Sequence, residues 1–179
     1  ARGNRASMIV ATKVGLLPTL KGLAPTTLRK AVDESRRRLG VDCIDLYYAH
    51  QDDTQTPLAD TVRGFDALVG DGSVRYVAAS NYTAPRLHEA LAIARRDGLA
   101  EFVAIQPHYN LMHRDEYEGG LQDLCAAQGM GCLPYFSLAM GFLTGKYRPG
   151  VTVPSVRAGG ASKYLDERGL RTLAVLDEI

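Results

Sequence analysis

The sequence predicts an α/β fold with a parallel sheet, and three observations support this. Short apolar runs rich in β-branched residues alternate with longer amphipathic segments. Glycines such as Gly40 and Gly98 follow amphipathic segments at the points where helices would end. The apolar runs recur roughly every 30 residues, which is the length of a βα unit. Because strands joined by crossover helices run in the same direction, the sheet is expected to be parallel.

The predicted elements follow one another in this alternating order. The strands are predicted at residues 8–13, 43–50, 74–79, 102–106 and 131–135. The helices are predicted at residues 28–39, 58–70, 87–94, about 116–128 and about 170–179, from their apolar stripes. Thr26 or Thr27 is the expected N-cap of the first helix. Residues 148–163 are rich in Gly, Pro, Ser and Val without a clear period, and we expect a long loop there.

Two parallel architectures fit this order, namely an open doubly wound sheet and an eightfold (β/α)8 TIM barrel. A barrel typically needs about 250 residues, and the chain has 179. An unclosed parallel sheet of five strands would leave bare edges. We therefore expect residues 1–179 to be a single segment from the middle of a barrel, truncated at both ends.

Composition and charge exclude several classes of protein. The chain has 21 Lys and Arg against 20 Asp and Glu, so its formal charge is +1. This balance does not predict binding to nucleic acid or to an anionic membrane. Its longest apolar runs are far shorter than the roughly 20 residues of a membrane helix, and no signal segment opens it. The odd number of cysteines (Cys43, Cys125 and Cys132) suits reduced thiols, which favours a cytoplasmic location. The oligomeric state is not predicted.

Polar or aromatic side chains stand where each predicted strand ends. These residues are Lys13, His50, Ser80 with Asn81, Gln106 and Tyr135. Parallel α/β folds bind ligands at the carboxyl ends of their strands, so this placement predicts a site for a planar, polar ligand. Each residue alone has a simpler explanation: a surface lysine, a structural histidine, a helix cap, a loop glutamine and a core tyrosine. Their coincidence favours the functional interpretation.

Metal and Rossmann sites are not predicted. His108, His113, Asp115 and Glu116 could be drawn as metal ligands, but their spacing matches no common zinc pattern. No Gly-x-Gly-x-x-Gly motif follows the first strand, which argues against a Rossmann dinucleotide site.

Several short sequence motifs occur in the order and with the spacing that a known family shows. They are Val10-Ala-Thr-Lys13, Leu39-Gly40, Ile44-Asp-Leu-Tyr-Tyr-Ala-His50, Ser80-Asn81-Tyr82, Gln106-Pro-His-Tyr-Asn110 and Pro134-Tyr-Phe-Ser-Leu-Ala-Met-Gly-Phe-Leu-Thr-Gly-Lys-Tyr147. On these residues the chain resembles the aldo-keto reductase superfamily from near residue 8 to its end, particularly its bacterial and channel-subunit-like branches.

The resemblance implies a (β/α)8 barrel, of which this chain would cover roughly strands 3 to 7 with their helices. It also implies an oxidoreductase that reduces an aldehyde or ketone by hydride transfer from NADPH. Lys13 matches the family's Lys, which lowers the pKa of a proton-donating Tyr, and His50 matches the His that orients the carbonyl. The family's Tyr and its Asp lie on strands before Lys13, and no counterpart precedes Met8, so the activity of the chain as given is left open.

The same resemblance implies a set of cofactor-binding residues. Ser80, Asn81 and Gln106 match the residues that hold the nicotinamide carboxamide, and Tyr135 matches the ring that stacks on the nicotinamide. The residues that match the pyrophosphate-binding loop are Phe136, Ser137, Leu138, Ala139, Met140 and Lys146, with Arg157 as a further phosphate partner. Phe136 stands where many relatives carry Ser, and Ser137 where many carry Pro. The preference for NADP over NAD is an inference from the family alone.

Two other functions remain open. A nucleotide-sensing regulatory subunit would keep the cofactor site but turn over little, although the imidazole of His50 argues against it. An unrelated barrel could use Lys13 as a Schiff-base lysine, which would leave Gln106 and Tyr135 unexplained. The carbonyl substrate itself cannot be named from the sequence.

Overall fold

The computed structural model describes residues 3–178, which form two compact units. The first unit contains the residues up to Pro107 together with Gly120–Leu133. The second contains His108–Gly119 and the residues from Pro134 onward. Each unit is described by itself below.

The first unit is built on a five-stranded sheet in which every pair of neighbours is parallel. Its elements are β1 (Ala11–Val14), β2 (Leu16–Leu17), β3 (Leu20–Lys21), α1 (Pro25–Leu39), β4 (Ile44–Ala49), α2 (Leu58–Gly70), β5 (Val74–Ser80), α3 (Ala84–Asp97), β6 (Phe102–Gln106), α4 (Gly120–Gln128) and β7 (Gly131–Cys132). The strand order is β1-β4-β5-β6-β7, and β2 and β3 form a separate antiparallel hairpin. The predicted α/β fold with a parallel sheet is confirmed.

The core of this unit lies between the sheet and its helices. Most of β4 is buried, as expected for a parallel strand that is covered on both faces. Helix α1 turns Leu28 and Val32 to the core, and a Cβ on Gly64 of α2 would lie 2.7 Å from Leu28 Cδ1. The glycine therefore allows α1 and α2 to approach closely. The predicted end of α1 is confirmed, because Gly40 adopts the left-handed conformation after it.

Several predicted boundaries in the first unit were wrong. The first strand, predicted at residues 8–13, is β1 at Ala11–Val14. Helix α1 begins at Pro25 with Ala24 as its N-cap, so neither Thr26 nor Thr27 caps it. Proline suits the first helical position because the N–H that it lacks would have no partner there. Helix α4 begins at Gly120 instead of about residue 116. Strand β7 ends after two residues, since Pro134 has no N–H to extend the ladder.

The second unit has little regular structure. Its helices are α5 (Ala158–Ala161) and α6 (Glu167–Leu176), with 3-10 turns at Ala139–Thr144 and Ser162–Tyr164. Its core consists of Met112, Ala139, Phe142, Tyr147, Ala161 and Leu173. The loop expected over residues 148–163 is therefore only partly correct, because α5 lies within it. Helix α6 confirms a helix near the end of the chain, but it begins and ends about three residues before the predicted bounds of about 170–179, and Ile179 lies outside the described residues.

None of the helices among residues 3–178 combines the length and apolarity that a membrane crossing needs.

Candidate functional site

Predicted site residues of the first unit lie at one edge of its sheet. Lys13 is the penultimate residue of β1, and His50 follows β4 directly. Ser80 is the last residue of β5, and Gln106 is the last residue of β6. The register pairs Ser80 with Gln106, and the backbone N–H of His50 donates to the carbonyl of Val14 at 2.9 Å. Since the strands are adjacent and parallel, their carboxyl ends place these residues in a row.

Lys13 and His50 are electrostatically coupled. Partial burial and the nearby charge of Lys13 both lower the pKa of His50, burial having the larger effect. The imidazole is therefore neutral at neutral pH and can still donate one N–H. The Lys13 ammonium lies 6.0 Å from the centroid of the Tyr48 ring. Both side chains line an open cavity of about 470 Å³, which extends along β1 and the β2–β3 hairpin.

Hydrogen bonds connect the polar groups that follow β4, β5 and β6. The Ser80 hydroxyl donates to the Gln106 carbonyl oxygen at 2.7 Å. The Asn81 amide Nδ2 donates to the His50 carbonyl oxygen at 2.8 Å and lies 3.2 Å from Ser80 Oγ. Asn81 has a φ of +55°, a left-handed conformation that Asn tolerates better than most residues. The backbone is thus held in an uncommon conformation at the edge of the sheet.

The side chain of Gln106 has an unsatisfied acceptor. Its Oε1 atom is buried, and no hydrogen-bond donor among residues 3–178 reaches it. A buried amide oxygen without a donor costs free energy on the order of 1–3 kcal/mol, so such an atom calls for a ligand or water that donates to it. A primary carboxamide would supply the missing N–H.

In the second unit, Tyr135 is the end of a stack of three rings. Its ring lies against the imidazole of His108, with centroids 5.2 Å apart and planes 15° apart. The opposite face of His108 stacks on His113, with centroids 3.9 Å apart and planes 17° apart. Phe136 packs edge-on against both Tyr135 and His108. Tyr135 therefore presents a flat ring that is supported from one side.

The segment after Tyr135 has an unusual backbone. Phe136, Ala139 and Met140 all have positive φ angles, and so does Gly141. The buried Asn110 amide donates to the Phe136 carbonyl oxygen at 3.0 Å, which fixes the start of the segment. Turns that combine right-handed and left-handed residues can direct backbone N–H groups toward a common side, an arrangement that binds anions. Two of these groups, on Ala139 and Gly141, already donate to backbone carbonyls within the segment.

The remaining predicted phosphate ligands are two middle residues of the 136–140 segment and two cations that follow it in the second unit. Ser137 and Leu138 are exposed within the 136–140 segment. Lys146 is exposed, and a Cβ on Gly141 would lie 3.8 Å from its Nζ, which places the ammonium beside the left-handed segment. Arg157 is exposed and directly precedes α5. Neither cation forms an ion pair with a residue between 3 and 178.

Two features of this unit were missed at the level of sequence. Asn110 was recognised only as part of the motif Gln106-Pro-His-Tyr-Asn110, and His108 was otherwise weighed only as a metal ligand, yet Asn110 fixes the Phe136 carbonyl and His108 supports Tyr135. Two histidines five residues apart around a short turn could have indicated a stacked pair. Within the described part of the chain, no three His, Cys, Asp or Glu side chains form a group that could hold a metal ion.

Comparisons with known proteins agree on one family. The model of the Aldo/keto reductase family matches residues 1–167. The chain is 32% identical over 187 aligned residues to L-glyceraldehyde 3-phosphate reductase of Escherichia coli K12, covering 98% of the chain and 54% of that protein. It is 34% identical over 149 residues to a probable voltage-gated potassium channel subunit beta of Oryza sativa subsp. japonica, covering 82% of the chain and 45% of that protein.

A putative voltage-gated potassium channel subunit beta of Schizosaccharomyces pombe is 33% identical over 153 residues, with 83% of the chain and 44% of that protein covered. The chain thus spans about half the length of the curated relatives it matches. The fold of this family is a (β/α)8 barrel, and the five parallel strands of the first unit are consistent with part of one.

Proposed function

Because the chain belongs to the aldo/keto reductase family, we propose that its protein is an oxidoreductase that uses NADPH to reduce an aldehyde or ketone to an alcohol. The observation that carries this proposal is the row of Lys13, His50, Asn81 and Gln106 along one edge of the parallel sheet. We place the protein in the cytoplasm, which suits the absence of disulfides among its three cysteines.

The polar groups after β5 and β6 fit a nicotinamide carboxamide. Its NH₂ group would donate to the buried Gln106 Oε1, which has no donor within the described chain. Asn81, which the His50 carbonyl oxygen and Ser80 hold in place, would contact the same group. This donor and acceptor pattern orients the ring, and orientation of the reacting groups contributes much of the rate of a transfer reaction. When bound, the cofactor supplies the hydride that the carbonyl carbon accepts.

Lys13 and His50 would act on the carbonyl oxygen. As that oxygen becomes negative, the Lys13 ammonium stabilises it electrostatically, and the neutral imidazole of His50 donates a hydrogen bond to it. Neutral His50 is suited to this role because it holds the oxygen without competing for the proton that the alkoxide must receive. A catalytic Tyr that protonates the alkoxide is part of the proposal for the whole protein.

The second unit, taken by itself, has groups of the kinds that bind a flat ring and phosphates. The Tyr135 ring, which His108 backs from one side, suits stacking on a flat ring such as nicotinamide. The turns at the positive-φ residues Phe136, Ala139 and Met140, with the cations of Lys146 and Arg157, suit phosphate groups. We propose NADPH in preference to NADH on the strength of the family alone.

Cofactor titration tests the binding half of the proposal. NADPH and NADH are titrated into the chain by calorimetry, and into Gln106→Ala and the matched exposed variant Gln122→Ala. We expect NADPH to bind more tightly than NADH, and Gln106→Ala to weaken NADPH binding about 10-fold, since it removes a buried acceptor. Equal binding by wild type and Gln106→Ala would contradict the proposed carboxamide site.

Turnover tests the chemical half in the whole protein that contains this chain. NADPH oxidation is followed with a panel of aldehydes that includes glyceraldehyde 3-phosphate, the substrate named for one relative. Lys13→Met should lower kcat by about 10²-fold or more while leaving NADPH affinity within a few-fold. Lys30→Met, an exposed lysine of α1, is the matched control and should be unaffected.

The channel-subunit relatives support a second candidate, a regulatory subunit that binds the nucleotide and turns over little. Tight NADPH binding that is lost in Gln106→Ala, with no NADPH oxidation in the presence of any carbonyl compound of the panel, would favour this candidate. Turnover that depends on Lys13 would exclude it.

A further inference from the structure

The ring stack behind Tyr135 contains two groups that can carry charge. His108 lies between Tyr135 and His113, so both faces of its imidazole are covered by rings. Its Nε2 lies 3.3 Å from Asn110 Nδ2, and Phe136 packs against it edge-on at 5.7 Å between centroids. A planar ligand that stacks on Tyr135 must use the face away from His108. The imidazole would then lie directly behind the platform on which the ligand rests.

The charge of His108 in this stack changes on the acid side of neutrality. Burial lowers the pKa of His108 most, proximity to His113 lowers it further, and the carboxylate of Glu116 offsets part of the shift. Glu116 Oε1 also lies 3.0 Å from His113 Nε2. The titratable groups that face His108 among the described residues are thus His113, Glu116 and Tyr135. His108 is neutral at neutral pH, and it becomes positive only when the pH falls below the ordinary range of histidine, about 6.5.

The two redox forms of a nicotinamide respond differently to such a charge. The oxidised ring carries a positive charge and the reduced ring is neutral. Two like charges on opposite sides of one aromatic ring, in a partly buried site, repel each other appreciably. A neutral imidazole in the same place repels neither form.

From this geometry we propose that His108 is a positioning residue whose protonation behind Tyr135 weakens binding of oxidised relative to reduced nicotinamide cofactor. The inference rests on the proposed function, because it assumes that a nicotinamide stacks on Tyr135. It goes further, because it gives His108, which stacks on His113, a role in discriminating the oxidised cofactor (the product) from the reduced cofactor (the substrate). Acidification would then favour release of the oxidised form.

The test compares the affinities of NADP⁺ and NADPH for the full chain between pH 5.5 and pH 8. The quantity followed is the ratio of the two dissociation constants, Kd for NADP⁺ over Kd for NADPH. The phosphates are common to both forms, so their titration cancels in this ratio. We expect the ratio to rise about 3- to 10-fold on acidification of the wild type. The reason is that two positive charges separated by one aromatic ring repel each other in a medium of intermediate dielectric constant.

Variants of His108 separate its charge from its packing. His108→Phe keeps a ring behind Tyr135 but cannot be protonated, so its ratio should lack this rise while its affinity for NADPH at pH 8 stays within about twofold of wild type. His108→Gln, which keeps a polar partner for Asn110, is the second variant and should behave likewise in the ratio. His88→Phe, at an exposed position of α3, is the matched control and should keep the wild-type dependence.

The comparison of the variants also distinguishes His108 from His50. His50 is present in the wild type and in every variant, so its titration contributes equally to all of their Kd ratios. A ratio that rises equally in wild type, His108→Phe and His108→Gln would overturn the inference and leave the proposed reductase intact. A chain that binds neither cofactor form at any pH would overturn the proposed function and the inference with it.

A second readout needs no cofactor. In NMR spectra of the chain alone, the ring protons of Tyr135 should shift with pH in step with the imidazole protons of His108. Tyr135 ring resonances that do not move while His108 titrates would contradict the stacked arrangement on which the inference depends.

Discussion

The two units build their candidate binding groups in different ways. In the first unit, Lys13, His50 and Gln106 stand at the ends of strands whose positions the parallel ladder fixes. In the second unit, the 136–140 segment follows no ladder, and non-glycine residues with positive φ are concentrated there. The first unit obtains its geometry from a repeating backbone pattern, whereas the second obtains it from particular side-chain contacts such as that of Asn110 with the Phe136 carbonyl.

This difference extends to what stabilises each unit. The first unit buries a charged group, because Asp45 on β4 is 3% exposed and pairs with Arg5 at 2.7 Å and Arg75 at 3.0 Å. The second unit relies on close approach of backbone and rings, for example at Gly169. Substitutions that remove a charge partner should therefore affect the first unit most, and substitutions that add volume should affect the second.

The largest effect is expected for Asp45→Asn. The change leaves Arg5 and Arg75 without their shared carboxylate and weakens the acceptor for the Val10 N–H, which Asp45 Oδ2 binds at 2.9 Å. The arginine side chains are 31% and 61% exposed and keep their hydration, so the cost comes from three weakened hydrogen bonds to a charged group. Each such bond contributes about 1.5–3 kcal/mol when intact, and weakening all three costs about 3–5 kcal/mol together. We expect a loss of this size in the free energy of unfolding, measured by urea denaturation with hydrogen exchange read separately in peptides of each unit.

The pH dependence of that stability has a definite sign. The Val10 hydrogen bond and the neighbouring arginines, which together outweigh burial, lower the pKa of Asp45 in the folded chain. The carboxylate therefore stabilises the fold above its unfolded pKa of about 4, and this contribution is lost as the pH falls toward and through the lower folded value. Asp45→Asn should flatten stability against pH in this acid range, and an unchanged acid profile would refute the role given to Asp45.

The next largest effect is expected for Gly169→Ala in the second unit. A Cβ at this position would lie 1.8 Å from the Tyr164 carbonyl oxygen and 2.9 Å from Phe142 Cζ, so the backbone itself would have to move. Overpacking of this kind costs about 1–3 kcal/mol, and more where backbone is involved. Hydrogen exchange in peptides covering α6 should increase strongly.

Gly64→Ala in the first unit is the matched control for this change. Its added Cβ would meet Leu28 Cδ1, the end of a side chain that can adopt another rotamer, at 2.7 Å. The backbone atom that it would approach, Pro25 Cα, lies at 3.3 Å, so the backbone needs to shift by only a few tenths of an ångström. The loss of stability should therefore be smaller than for Gly169→Ala. An equal or larger loss at Gly64 would contradict the proposed difference between the units.

A smaller effect is expected for Asn110→Ala. Asn110 is buried, donates to the Phe136 carbonyl oxygen and accepts from the Met112 N–H at 2.9 Å. Leaving these two groups without a partner costs about 1–3 kcal/mol. Ser80→Ala removes one side-chain hydrogen bond, to the Gln106 carbonyl oxygen, beside the regular ladder of the first unit and should cost about 1 kcal/mol. Exchange in peptides covering residues 136–141 should rise for Asn110→Ala and stay unchanged for Ser80→Ala.

The same difference explains how much of the molecule the sequence predicts. The strand at Phe102–Gln106 and the end of α1 at Gly40 follow from local pattern and backbone preference, and both were predicted correctly. The row of Lys13, His50, Ser80 and Gln106 follows once the strands are known to be parallel. In these places the local preference and the tertiary structure agree.

Elsewhere tertiary contacts override the local pattern. Residues 116–119 have helical propensity but form turns in which Glu118 accepts from Tyr109 and Arg114. Helix α5 contains two glycines, which argue against a helix, yet Gly160 is needed because a Cβ there would collide with Met140. The spacing of His108 and His113 around a turn hints at their stacking, but the contact of His108 with Tyr135 depends on a distant segment, so no local rule reveals it.

The smallest effect is expected for Asp177→Asn, although its ion pair has the better geometry. Arg148 Nη2 lies 2.7 Å from Asp177 Oδ1 and 2.8 Å from Oδ2, but the Asp177 side chain is 56% exposed. Water and salt screen an exposed pair, which usually contributes between about 0 and 1 kcal/mol. We expect a loss below about 0.5 kcal/mol, reduced further in 0.5 M salt. A loss approaching that of Asp45→Asn would mean that charge pairing stabilises both units alike, and that burial does not determine what an ion pair contributes here.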